Sequence, residues 1–402
     1  MTTTTGDAAQ DLRGPGSGPA TTRDVFFVSN SIDELGGVTT WSHQMARLLL
    51  ARGHRVHMVG ITVSDVPQDL GGTLPYPTTT LYDTPPPEPA PSRGLRGRLD
   101  PVARCRNRLR AAGMRERAAE LTRLFASARP GAVVIVTQVW AMEWVALART
   151  RGLTVIGMSH ESYLYSRSTS RFARVKRHYA DVDRMLVLTR EDADLWIREG
   201  RMNNVGFMPN PLPFLPSAPS PRARPVVLSV GRLTDQKGID MLLDAWAEVA
   251  PHHPEWTLEI HGDGEDEEAL KAQSREAGLD DSVQWCGRTA DVQGALDGGS
   301  IFVLSSRGEG FPLALMEAMA AGLPSVAFDC APGVREIVSD GRDGLLAPLG
   351  STSELAAHLR TLISDSALRD RMGDAARENV RRFSTDQVVR RWEELFTFLD
   401  QR

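Results

Sequence analysis

The stretch "GRLTDQKG", Gly231 to Gly238, holds two cations, Arg232 and Lys237, between two glycines and follows the apolar run "PVVLSV". Arginine offers a planar fork of donors and lysine a compact charge, so a turn carrying both can hold an anion. A second stretch, "SSRGEGFPLALMEAMAAGLPSVAFDCAPG" (305–333), sets Glu309 in a glycine-rich loop and Glu317 eight positions on. Pro312 marks a helix start, Gly322 its end and Pro324 the stop beyond, giving a helix of about ten residues. Free N–H groups and the dipole at that start favour an anion. Two carboxylates would repel phosphates they faced. They fit better as acceptors for sugar hydroxyls on either side of a bound diphosphate; spacing alone leaves a loop charge and an exposed helix charge equally open.

A third feature is "GMSHESYLYS" (157–166), which puts His160 at the end of an apolar strand. A fourth is Gly36–Gly37 in "VSNSIDELGGVTTW", between the first strand and the first helix. That pair is not the dinucleotide G-x-G-x-x-G, which argues against a nicotinamide cofactor. "CGRTAD" (286–291) follows a further strand and makes Arg288 a candidate contact. The Asp-x-Asp at 181–183 precedes a strand and reads as a turn, so no metal is expected.

Positioning these residues needs a scaffold of alternating elements. Short β-branched runs such as "VFFVS", "AVVIVT", "VVLSV" and "SIFVLSS" alternate with amphipathic stretches, which predicts parallel sheets with helices on both faces. The 402 residues allow two domains. Seven prolines in 208–225 exclude a helix interior or central strand there and predict a stiff linker. The expected order is a disordered tail (1–22), a first Rossmann-like domain (23–208), the linker (209–225), a second such domain (226–382) and a terminal helix (383–402). The stretch 63–100 reads as a loop excursion. Ligands in such sheets sit beyond the carboxyl ends of the strands.

The motifs together resemble the family 4 retaining glycosyltransferases. The E-x₇-E spacing of Glu309 and Glu317 is joined by "GRLTDQKG", "IHGDGEDEEAL" and "GVREIVSDGRDGLLAP", in the family's order. The resemblance implies the GT-B fold: two Rossmann-like domains facing a cleft, with the last helix crossing back to the first domain. It implies that Arg232 and Lys237 hold the donor diphosphate and that Glu317 binds the ribose. It also implies that Glu309 and His160 contact the transferred sugar, with Gly310 and the amides around Phe311, Pro312 and Leu313 completing the pocket. Gly36 and Gly37 would approach the diphosphate from the first domain, and Arg288 would lie by the nucleobase.

The implied activity is transfer of a hexose from a nucleotide sugar, UDP-linked rather than GDP-mannose, to a sugar, lipid-linked or polymer acceptor in surface glycan assembly. A UDP-sugar epimerase of the same fold and a glycosyltransferase of small metabolites stand as alternatives. "FDCAPGVREIV" departs from the UDP-hexose subgroup pattern at Ala331 to Val334, which leaves the subgroup open.

Composition bounds the partners. Residues 1–215 carry 27 Lys+Arg against 20 Asp+Glu, while the rest carry 19 against 31. The acidic second half argues against nucleic acid. The segment Arg93–Arg129 holds eleven arginines and three acidic residues, with Val102, Cys105, Leu109, Ala112, Leu121 and Phe125 near helical spacing. Such a helix either lies on an anionic membrane or packs on the core with a solvated face. No apolar run reaches 18 residues and no secretory leader is read. Three scattered cysteines suggest a reducing cytosol and no zinc spacing. The expected location is cytoplasmic, peripheral on the inner membrane face.

Overall fold

A computed structural model describes residues 22–84, 100–289 and 291–401. The expected tail up to residue 21, the proline-rich part of the 63–100 excursion and the Arg93–Arg98 start of the basic segment lie outside the described residues. The chain divides into two compact units: 1–158 with 181–183 and 392–402, and 159–180 with 184–391.

The first parallel sheet comprises β1 (Asp24–Ser29), β2 (Arg55–Thr62), β3 (Thr78–Tyr82), β4 (Val133–Val136), β5 (Thr154–Met158), β6 (Arg184–Val187) and β7 (Val205–Phe207). Its order is β3-β2-β1-β4-β5-β6-β7. β1 and β4 are fully buried runs of β-branched and aromatic residues, as strands covered on both faces must be. The order reverses direction between β1 and β4, and Gly36–Gly37 follow β1. Gly36 caps the helix Gly37–Ala51, and Gly37 is its first residue. The expected loop excursion contains β3: Thr78–Tyr82 pairs with β2 at the sheet edge, where one contributing face is enough to hold "TTTLY". The terminal helix Thr385–Leu399 begins in the second unit and ends in the first, where Trp392 and Phe396 pack on Trp41 and His54.

The basic segment is a helix, Pro101–Ala126, capped by Asp100, whose carboxylate accepts from the amides of Val102 and Ala103. Leu121 and Phe125 are buried, but Val102 and Leu109 stay 74% and 68% exposed. The apolar stripe expected along the whole helix is therefore covered at Ala103 and along the last turns, but not at Val102 or Leu109.

The second sheet holds β8 (Val226–Val230), β9 (Thr257–His261), β10 (Val283–Gly287), β11 (Ile301–Leu304), β12 (Ser325–Asp329) and β13 (Gly344–Pro348). Its order is β10-β9-β8-β11-β12-β13. One face packs on a cluster around Trp246, Leu243, Leu359 and Leu362. The stretch 208–225 has no helix or strand, as its prolines dictate, and it lies within the second unit. It is pinned there: Arg377 donates to the Pro216 carbonyl, and Arg222 pairs with Asp370 and Asp374. No helix among the described residues is long and apolar enough to cross a membrane.

Candidate functional site

The order of the second sheet reverses between β8 and β11, and in such sheets ligands bind beyond the carboxyl ends of the strands at this switch point. The loop after β8 is "GRLTDQKG". It forms a single 3₁₀ turn, Asp235–Lys237, ending at Gly238, whose φ is +61°. A Cβ there would lie 2.2 Å from the Ser305 carbonyl oxygen, so only glycine lets this loop touch the one after β11. Arg232 is exposed, and among the described residues no ion pair engages it.

The loop after β11 carries Glu309, whose side chain is 9% exposed. Lys237 Nζ lies 2.7 Å from Glu309 Oε1, and Ser306 Oγ donates to the same oxygen at 2.6 Å. A clip holds the two loops in this register. Arg307 makes a bidentate bond to Asp240 at 2.7 and 2.6 Å and also donates to the Asp235 carbonyl. Its amide donates to the Gln236 carbonyl, and Gln236 Nε2 returns a bond to the Gly308 carbonyl.

The helix that follows is Leu313–Ala320, eight residues rather than about ten. Pro312 stands one position before it, as the cap, because its ψ of 108° is extended rather than helical. Gly322 follows at φ +78°, as the sequence predicts. Glu317 lies one turn inside and is half-buried. Burial, with no cation set against it, pushes its carboxyl up to about 7. It is not the exposed helix charge that spacing alone left open.

His160, at the end of β5, belongs to this unit and meets the same loop. The ideal Cβ of Gly310 would lie 2.0 Å from the His160 carbonyl oxygen, and that of Gly333 2.0 Å from the Gly310 oxygen. Three backbone segments therefore stack with no room for a side chain at either glycine. Burial pushes the His160 imidazole down to about 3, and the Arg171 charge adds to this. The ring is neutral at physiological pH, so it offers one N–H donor and one lone pair but no imidazolium proton for general-acid work. Phe311 is buried edge-on against Phe383. Burial and the Glu309 carboxylate raise the Cys330 thiol to about 12, which leaves it inert.

The second unit thus brings together His160, Lys237, Glu309, Gly310 and Phe311, with Pro312, Leu313 and Glu317 on the helix that leaves the loop. Arg288 is exposed just beyond β10. Gly36 and Gly37 belong to the other unit. The Arg307–Asp240 clip, Ser306 and Gly333 escaped sequence reasoning. A cavity of about 410 Å³ opens elsewhere, at the amino ends of β1 to β3, among Phe26, Leu50, His57, Tyr76 and Leu124. It lies at the wrong end of the sheet for this site.

Two doubly wound parallel sheets, a terminal helix shared between the units and a loop carrying Arg232 and Lys237 at the switch point define a protein of the GT-B class. Residues 36–211 match the model of the glycosyl transferase 4-like domain, and residues 215–379 match that of glycosyl transferases group 1. The chain belongs to the group 1 glycosyl transferase family.

It is 34% identical over 236 residues to an uncharacterized glycosyltransferase of Haemophilus influenzae, covering 58% of this chain and 67% of that one. It is 30% identical over 224 residues to the amylovoran biosynthesis glycosyltransferase AmsD of Erwinia amylovora, covering 54% of this chain and 63% of AmsD. Among solved structures, Anabaena HepE in complex with UDP superimposes with a TM-score of 0.72 at 18% identity, over 93% of this chain and 99% of HepE.

Proposed function

We propose that this chain is a retaining hexosyltransferase that moves a hexose from a nucleotide sugar, UDP-linked in preference to GDP-mannose, to a hydroxyl of a lipid-linked or polymeric glycan. The observation that carries this is the clipped pair of loops after β8 and β11, which sets Lys237 2.7 Å from Glu309 at the switch point. The UDP of the HepE complex and the amylovoran biosynthesis in the name of AmsD support the donor and the pathway class.

In this reading Arg232 and Lys237 hold the diphosphate. The leaving group gains negative charge as the glycosidic bond breaks, so fixed cations stabilise the transition state more than the ground state. The amides at the start of the helix Leu313–Ala320 add a partial positive charge to the same task. Glu317 accepts from the ribose hydroxyls, and Glu309 and neutral His160 orient the transferred sugar. The acceptor oxygen attacks from the face the diphosphate leaves: the C1–O–P bond breaks, the C1–O bond to the acceptor forms, and the departing phosphate oxygen takes the acceptor proton. The chain's cations do the work that a metal does in other transferases, so the donor site needs none.

The test is thermal stabilisation by a panel of UDP- and GDP-sugars, followed by nucleotide release with glycan acceptors and anomeric analysis of the product. A stabilising UDP-sugar, released UDP and a retained anomer are expected. An inverted anomer overturns the retaining step. A 2-epimer in place of transfer makes the chain an epimerase, and no response to any nucleotide sugar sinks the proposal.

A further inference from the structure

Sequence spacing gives the three cysteines no metal motif, but folding moves one of them beside two other ligands. Glu259 Oε, His261 Nε2 and Cys286 Sγ lie within 4.8 Å of one another. Glu259 and His261 are two apart on β9, so they share a face. The register of β10 slips against β9 between Trp285 and Gly287, and Cys286 sits in that slip at the sheet edge.

From this geometry we infer a binding site for one borderline divalent cation, Zn²⁺ by preference, with Glu259, His261 and Cys286 as ligands and water as the fourth. The donor set selects the metal. Carboxylate, imidazole and thiolate together suit zinc, whereas calcium and magnesium demand oxygen. Tetrahedral Zn²⁺ with bonds of about 2.0–2.3 Å needs ligand atoms about 3.3–3.8 Å apart. Glu259 Oε2 and His261 Nε2 already stand at 3.4 Å. Cys286 has only to rotate inward, since its thiol makes a single weak contact to the Gln284 carbonyl at 3.8 Å.

The surroundings suit the ion. Glu259 is 7% exposed, and its other oxygen accepts from Arg224 at 2.9 Å, which fixes the carboxylate's orientation. Cys286 is exposed and gives the ion a way in. Cys286 ligates as a thiolate, so binding releases its proton to solvent, and the ion then neutralises both anions. The ligated cation would tie β10 to β9 across the slip. Cys286 lies two residues from Arg288, but none of the three ligands is assigned to the donor, so the site stands or falls independently of the transferase reading.

The metal-free full-length chain is titrated with Co²⁺ and then with Zn²⁺. One equivalent, a thiolate-to-cobalt charge-transfer band, its displacement by Zn²⁺ and a higher Tm with Zn²⁺ are expected. Cys286→Ser should remove the band and weaken Zn²⁺ by about 30-fold or more. Glu259→Gln keeps an acceptor for Arg224 and should weaken Zn²⁺ by about 10- to 100-fold. Cys105→Ser should change nothing. Melting of the metal-free variants separates lost ligands from lost fold. Less than one equivalent bound, a band that survives Cys286→Ser, or one abolished by Cys105→Ser overturns the site.

Discussion

Glu317→Gln should stabilise the protein and cripple its nucleotide binding in the same step. The carboxyl is raised from 4.5 to about 7 because burial disfavours its charge and no cation offsets it. The sign follows. With the folded value above the unfolded one, the folded chain binds the extra proton between pH 4.5 and 7. Stability is then fully present below pH 4.5 and is lost as pH rises through 7. A shift of this size is worth about 3 kcal/mol at full strength. Glutamine, neutral at all pH, should recover about 1–3 kcal/mol above pH 7 and nothing near pH 4.5. The same substitution removes a charge-assisted acceptor for the ribose and should weaken UDP by about 1.5–3 kcal/mol. Thermal melting at pH 5 and pH 8, with calorimetry of UDP at pH 8, reads both effects. A variant no more stable than the parent at pH 8 refutes the burial argument. Unchanged affinity for both UDP and GDP refutes the ribose role.

Arg232→Ala or Lys237→Ala should raise the barrier to transfer by about 2–4 kcal/mol, or about 30- to 1000-fold in rate. Near-normal turnover in either would end the diphosphate assignment. Gly310→Ala places a methyl 2.0 Å from the His160 carbonyl; it should lower kcat far more than it changes Tm. Gly113→Ala in the basic helix, whose Cβ would approach only the Tyr82 hydroxyl, at 3.9 Å, is the contrast for Gly310→Ala. A fully active Gly310→Ala would show that the His160 contact is not needed. Arg307→Ala should cost about 0.5–1 kcal/mol of stability, because Asp240, which its guanidinium holds below the usual carboxylate range, is 40% exposed and water replaces the lost partner. It should also raise the donor KM, and an unchanged KM would mean the clip does not position the loops.

The sheets and the loops after β8 and β11 were legible because each is a local pattern. "VVLSV" and "SIFVL" are β-branched runs bounded by glycine, and the helix from Leu313 announces itself through Pro312 and Gly322. What escaped depends on pairing between distant positions. Arg307 and Asp240 are 67 residues apart and carry no signal in either stretch. Thr78–Tyr82 is a weak strand that needs β2 beside it to exist. The basic helix misled in the opposite sense. Val102 and Leu109 keep the helical period, but a period shows which residues share a face and not whether anything covers that face.

Within "GRLTDQKG" it is Lys237, rather than Arg232, that differs from a residue on a solvated turn. Arg232 is exposed and would look the same on any surface loop. Lys237 is drawn in to Glu309, whose side chain is nine-tenths buried and already holds a Ser306 hydrogen bond. A surface pair of this kind contributes little, but a pair with one nearly buried partner is costly to break unless something replaces the lost charge. An anion arriving at Lys237 would replace it. On the proposed reading the diphosphate would take the ammonium, Ser306 would keep one lone pair of Glu309 occupied, and the remaining carboxylate capacity would be released toward a sugar hydroxyl. The resting ion pair is then a stand-in for substrate on both sides. If so, Glu309→Gln should loosen Lys237, bind free UDP as well as the parent or better, and still lose transfer. A variant that instead bound UDP less tightly would show that Glu309 helps to place the diphosphate cation rather than competing for it.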